Sequence, residues 1–319
     1  MSLESLEILK SSFGYDTFRP LQLDAINAVL AGKDTFVVMP TGGGKSICFQ
    51  VPALILPNLT VVISPLISLM QDQVETLNEN GIEAAFYNST LSSNQKNKLI
   101  QQCLNGHLKL LYMAPETFLP ALDSWLDDVR ISLLAIDEAH CVSTWGHDFR
   151  PEYSQLGVAR LALPDVPCIA LTATADVVTR KDIIKQLHLQ TDQLFISSFD
   201  RPNLELIVKG NIKKKEKIKQ VLEFIEKQNE SAGIIYCFSR KEADEWTVIL
   251  NKEGYRANTY HAGLKAQDRA SAQQRFIHDE TQIICATIAF GMGIDKSNVR
   301  WIIHNNLPKN IESYYQEIG

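Results

Sequence analysis

The sequence predicts an α/β protein of two tandem domains with mainly parallel central sheets. Three observations lead there. Short apolar runs, most of them rich in β-branched residues, recur with amphipathic, helix-like segments between them, the rhythm of a parallel sheet. That rhythm breaks once, at "LFISSFDRPNLELIVKG", and then restarts. The chain has 319 residues, 45% of them hydrophobic and 21% charged. At roughly 150 residues per domain, that length suits two domains.

In chain order, the first-domain strands are "DTFVVMP", "LTVVISP", "LKLLYMAP", "ISLLAIDE" and "VPCIALTAT". At the break, Arg-Pro-Asn sits between two short strand-like pieces, which puts the first domain at 1–203 and the second at 204–319. The Lys-rich "KGNIKKKEKIKQ" follows and reads as a solvated helix face. The second unit then runs "AGIIYCFSR", "YRANTYHAGL", "TQIICATIA" and "VRWIIHNNLP". No short-period repeat or low-complexity tract interrupts either unit.

Composition narrows the function classes. No run of about 18 apolar residues exists to span a membrane, and the N-terminus lacks the pattern of a secretory signal. The six cysteines, Cys48, Cys103, Cys141, Cys168, Cys237 and Cys285, form no CxxC pair. They read as buried thiols in a reducing cytoplasm rather than a metal or disulfide framework. A net charge of −6 argues mildly against nucleic acid. It does not decide the matter, because a basic groove can lie on an acidic protein.

"DTFVVMPTGGGKSICFQVPAL" reads strand, glycine loop, helix. Thr41, Gly42, Gly43, Gly44, Lys45 and Ser46 make a loop whose backbone N–H groups can cradle phosphate at a helix start. Lys45 would reach the β and γ phosphates, and Ser46 would place its hydroxyl on magnesium. Met39 stands where the consensus loop begins with glycine, so a plain glycine turn is the competing reading. The acidic pair strengthens the case. Asp137 closes the run Leu133–Ile136, where a magnesium-binding carboxylate must stand, and Glu138 beside it can polarise an attacking water. The two motifs together point to binding and hydrolysis of a nucleoside triphosphate.

"TGGGKS", "DEAH", "ALTATA" and "FGMGIDKSNVR", in this order, resemble the helicase motifs of superfamily 2. More narrowly, "FGYDTFRPLQ", "WGHDFRPEY" and "NNLPKNIESYYQEIG" resemble the RecQ family of DNA helicases. The aromatic loop is the most specific of these stretches. The resemblance implies two RecA-like P-loop NTPase domains with ATP and magnesium in the cleft between them. It implies a monomeric cytoplasmic enzyme of DNA repair and recombination, with no membrane attachment. That enzyme would act on single-stranded and forked DNA and move 3′ to 5′.

Carried over by motif, Tyr15 would stack on adenine while Arg19 and Gln22 read its polar edge. Simple packing of the first helix is the alternative for Tyr15 and Arg19. Lys45, Asp137, Glu138 and His140 would form the hydrolytic group, with His140 linking the acidic pair to the loop that follows. Thr172 and Thr174 would link the ATP site to domain movement, or serve as plain structure. Gly293 and Asp295 match motif V, which approaches the nucleotide from the second domain. "YCFSRKEAD" and "YHAGL" would hold DNA phosphates.

Trp145 and Phe149 are candidates for stacking on bases, worth about 1–3 kcal/mol each and tolerant of any base. Arg150 would contact a phosphate or stack as a cation. A core beneath the loop is the alternative for the two aromatics. The family pattern continues with arginines after Gly319, so residues 1–319 alone are expected to bind ATP but hydrolyse it poorly. Two other readings stay open: an RNA helicase of the same superfamily, and an ATP-gated nucleic-acid clamp.

Overall fold

The computed structural model describes the chain except residues 1, 66, 146–148, 191–192, 199, 202, 211, 291–295, 297 and 319. Two compact units result, Met1–Phe199 and Asp200–Ile318.

Among its described residues, the first unit holds seven strands. They are β1 (Thr35–Val38), β2 (Leu59–Ile63), β3 (Ala84–Tyr87), β4 (Leu110–Met113), β5 (Ile131–Ile136), β6 (Cys168–Thr172) and β7 (Leu194–Ile196). All pair in parallel, in the order β3-β4-β2-β5-β6-β1-β7. Helices connect them, and the side chains alternate between two buried faces. Phe36, Val38, Leu134 and Ile136 enter one core, while Val37, Met39, Leu133 and Ala135 enter the other. Burial on both faces is why these strands read as unbroken apolar runs.

The second unit holds β8 (Ala232–Tyr236), β9 (Ala257–Tyr260), β10 (Ile283–Ala286) and β11 (Val299–His304), in the order β11-β8-β10-β9. Every pairing is again parallel. Ile235, Ile283, Cys285 and Trp301 fill one face, and Ile234, Tyr236, Ile284 and Ala286 the other.

Two details differ from the sequence reading. "AAFY" is a strand, β3, though it is too short and Ala-rich to signal one. The apolar piece at 204–208 forms no strand, and Leu206, Ile207 and Val208 are exposed. An isolated extended segment gains little without a ladder partner. The Lys-rich run does form the helix Lys214–Glu226, with Lys214 paired to Glu245 at 2.7 Å on its solvated side. All six cysteines are buried thiols. Among the described residues, no helix is long and apolar enough to cross a membrane.

Candidate functional site

In an open parallel sheet, ligands bind at the carboxyl ends of the strands. In the first unit β1, β6 and β5 are neighbours, so the loops after them share one edge. Those loops carry the glycine run, Thr172–Thr174 and the acidic pair.

Residues 39–46 link β1 to the helix Ile47–Ile55. Gly42 (φ 70°) and Gly44 (φ 78°) lie in the left-handed region that side chains avoid. Gly44 is needed twice over, because a Cβ there would sit 2.5 Å from Gln22 Nε2. That amide donates to the carbonyls of Gly44 at 2.9 Å and Gly43 at 3.4 Å. Gln22 Oε1 accepts the Arg19 backbone N–H at 2.8 Å, and Arg19 Nη1 donates to Gly42 O. Arg19 and Gln22, expected to read a base edge, thus brace the glycine loop itself in this structure. Tyr15 is 55% exposed, and its backbone N–H bonds Leu9 O of the first helix at 3.3 Å.

Lys45 Nζ donates to Met39 O at 3.4 Å, so the residue at the missing consensus glycine uses its carbonyl to steady the lysine. Ser46 is the N-cap of the helix, yet its hydroxyl makes no capping bond.

Asp137 is 9% exposed, and its Oδ1 accepts the Glu138 N–H at 3.0 Å. Burial first, then the neighbouring Glu138 charge, pushes its carboxyl up to about 7; Lys45, the Glu138 N–H and His140 pull the other way. Strand pairing brings Lys45 within electrostatic reach of this carboxylate. Glu138 has φ 49°, a left-handed non-glycine conformation. Such residues cost on the order of 1–3 kcal/mol and concentrate at functional sites. Here the strained turn swings the chain from β5 into the short helix Ala139–Val142.

His140 is buried, with Nδ1 3.2 Å from Glu138 Oε2 and 3.0 Å from Thr172 Oγ1. Thr172 Oγ1 in turn donates to Thr174 O at 3.0 Å. The histidine therefore ties the acidic pair sideways to the end of β6, a link set by strand order.

The aromatic stretch is held on either side of residues 146–148. Ser143 Oγ donates to Asp182 Oδ2 at 2.6 Å and accepts the Trp145 N–H at 3.2 Å. At the far end the Arg150 N–H bonds Cys141 O at 3.0 Å, and its Nη1 donates to Pro65 O at 2.8 Å. The Arg150 guanidinium, expected to contact a phosphate or to stack as a cation, here bonds the segment after β2 through Nη1. Trp145 is 72% exposed and Phe149 38%, so neither fills a core. His147 and Asp148 lie outside the described residues, as do Gly293 and Asp295 of the second unit.

In the second unit, "YCFSRKEAD" turns from β8 into the helix Arg240–Lys252, which Ser239 and Glu242 cap reciprocally. His261 of "YHAGL" is buried, with Nε2 3.3 Å from Asp244 Oδ1.

Sequence reasoning missed Asp182 and Pro65. Both meet the loop from tens of residues away, and no local spacing signals such a partner.

The site fits a nucleoside triphosphate with a divalent metal. The strained glycine loop, the uncapped Ser46 hydroxyl and a buried carboxyl raised toward neutrality are donors suited to that pair. Among the described residues, no cluster of three or more His, Cys, Asp or Glu could hold a metal alone. A hard cation bound by one or two protein oxygens plus phosphates needs no such cluster.

Comparison with known proteins agrees with this geometry. The DEAD/DEAH box helicase family matches residues 19–183, and the helicase conserved C-terminal domain matches residues 213–319. The chain is 47% identical over 316 residues to the ATP-dependent DNA helicase RecQ of Pasteurella multocida, covering 99% of this chain and 50% of that protein. It is 46% identical over 317 residues to the Bacillus subtilis RecQ helicase, covering 98% of this chain and 53% of that protein. The chain thus spans about half the length of these relatives.

Among solved structures, yeast Dbp5 bound to Gle1 is similar at a TM-score of 0.78 and 16% identity, over 99% of this chain and 82% of that one. The helicase MrfA bound to DNA is similar at 0.78 and 18%, over 99% of this chain and 46% of that one. At such identities the likeness speaks to fold alone, that of two tandem RecA-like domains. Motif order, strand order and family match converge: the chain belongs to the DEAD/DEAH box helicase family.

Proposed function

We propose that this chain is the motor core of a RecQ-type, ATP-dependent DNA helicase. It couples ATP hydrolysis to movement along single-stranded DNA in the 3′ to 5′ direction, and it opens forked DNA during repair and recombination. It works as a monomer in the cytoplasm. The observation that carries the reading is the aromatic loop: two exposed rings, Trp145 and Phe149, follow the buried carboxylate of Asp137 by eight and twelve residues. Rings presented to solvent on a braced loop suit stacking on unpaired bases of any sequence.

The hydrolytic roles follow from the site. Lys45 is placed to meet the β and γ phosphates. Ser46 and Asp137 would hold magnesium, which when bound offsets the charge on the phosphate oxygens. Glu138 accepts the proton of the attacking water, and His140 keeps that carboxylate oriented through Thr172. Tyr15 stacks on adenine, while Arg19 and Gln22 keep the glycine loop in its bound shape and read the adenine edge.

The test is steady-state ATP hydrolysis by the full-length protein without nucleic acid, with single-stranded DNA and with single-stranded RNA. Lys45→Ala is the blank. Stimulation by DNA well above RNA is expected, as is a lower stimulated-to-unstimulated ratio in Trp145→Ala. Equal stimulation by RNA would favour an RNA helicase, and none by either would favour a clamp.

A further inference from the structure

Among the described residues, two side-chain hydrogen bonds join the segment after β5 to the end of β6 and the helix that follows it. The inner one is His140 to Thr172, at the strand ends, 3.0 Å. The outer one is Ser143 Oγ to Asp182 Oδ2, 2.6 Å. Short hydroxyl–carboxylate hydrogen bonds of this kind are among the stronger ones in proteins.

Ser143 is fully buried. Its single hydroxyl is held by Asp182 on one side and holds the Trp145 backbone N–H on the other. Asp182 lies on the helix Val177–Gln186. That helix begins right after Thr172–Thr174 and is capped by Asp176, whose carboxylate accepts the Thr179 N–H at 2.7 Å. The indole of Trp145 is mostly exposed, so packing does little to place it. Its position relative to the acidic pair is set through its backbone, and the Ser143 hydroxyl grips that backbone. A functional side chain on a loop is held in register only when supporting bonds tie the loop to rigid elements.

We propose that Ser143 and Asp182 are positioning residues for Trp145. Their bond makes the loop and the helix after β6 move as one piece, so that stacking of a base on Trp145 is felt at the His140–Thr172 link and hence at Glu138. The inference rests on the sensor reading of Trp145 above. It adds that coupling runs through this one side-chain pair, not through the covalent chain alone.

The experiment compares ATP hydrolysis with and without single-stranded DNA in the full-length protein and in Ser143→Ala, Asp182→Leu, Asp182→Asn and the Ser143→Ala/Asp182→Leu double variant. The stimulated-to-unstimulated ratio of kcat should fall about tenfold in Ser143→Ala and Asp182→Leu, a size typical of directly bonded pairs. Unstimulated kcat and KM for ATP should stay within about twofold of wild type. Asp182→Asn keeps an oxygen acceptor and should restore most of the ratio. The double variant should be no worse than either single variant.

Full stimulation in both Ser143→Ala and Asp182→Leu would overturn the inference. So would an equal fall of stimulated and unstimulated rates, the mark of a merely structural pair. Trp145→Ala, run alongside, separates the two layers. If it alone loses stimulation, the pair is not the coupling element; if it retains stimulation, the sensor reading falls and takes this inference with it.

Discussion

Replacing Gly44 with alanine tests the tie between the first helix and the glycine loop. Two costs add. Gly44 has φ 78°, and an L-residue held in that region loses about 1–2 kcal/mol. The new Cβ would also lie 2.5 Å from Gln22 Nε2, so the glutamine must swing away. Doing so breaks its 2.9 Å bond to Gly44 O. Gln22 is only 3% exposed, and a buried amide left unsatisfied costs about 1–3 kcal/mol. Together the two terms come to roughly 2–5 kcal/mol, or at least about 30-fold in an equilibrium constant.

The loss should divide between nucleotide affinity and fold stability, so both need measuring: titration with a fluorescent ATP analogue, and urea unfolding without nucleotide. The cycle with Gln22→Ala isolates the steric part. In that background Gly44→Ala should cost only the backbone term. A Gly44→Ala protein with wild-type affinity and wild-type stability would refute the argument, as would an unchanged cost when Gln22 is already gone.

Other outcomes follow from the same structure. Asp34 accepts bonds from Arg160 at 2.9 Å and from the Cys168 N–H at 2.9 Å, both buried, and from the Gln190 N–H at 2.9 Å at the edge of that setting. Asp34→Ala strands the arginine and should lower stability by about 3–5 kcal/mol in urea unfolding. Without nucleotide or metal, the Asp137 carboxyl is raised from 3.8 to about 7. A raised carboxyl favours the fold fully below pH about 4, and that contribution is lost as pH rises toward and through 7. Asp137→Asn should therefore unfold at a higher temperature than wild type at pH 8 and show little advantage at pH 4, read by thermal melts in chelator. Thr172→Val removes the hydroxyl facing His140. It should lower the kcat of the full-length protein by about tenfold while KM for ATP changes little, since the lost contact orients rather than binds.

Much of this protein was legible in its sequence, for local reasons. Strands buried on both faces must be apolar throughout, so "TFVV", "LTVVI" and "ISLLAI" announce themselves. Glycines at Gly42 and Gly44 mark a backbone that only glycine adopts comfortably, and a carboxylate pair at the end of an apolar run marks a site rather than a core. Each signal depends on neighbours within a few residues.

The tertiary structure decided what those residues touch. Order in the sheet set β6 between β1 and β5, and so placed Thr172 against His140 and Lys45 within reach of the Asp137 charge. Gln22 became a brace for the glycine loop because its helix lies against that loop. Ser143 met Asp182 across 39 positions of sequence. Arg150 met Pro65 across 85. The piece at 204–208 shows the converse, since apolar composition without a neighbouring ladder does not make a strand. Propensity and spacing act along the chain, whereas hydrogen bonds and charge act through space, and only the packed fold decides which distant groups come close enough to feel them.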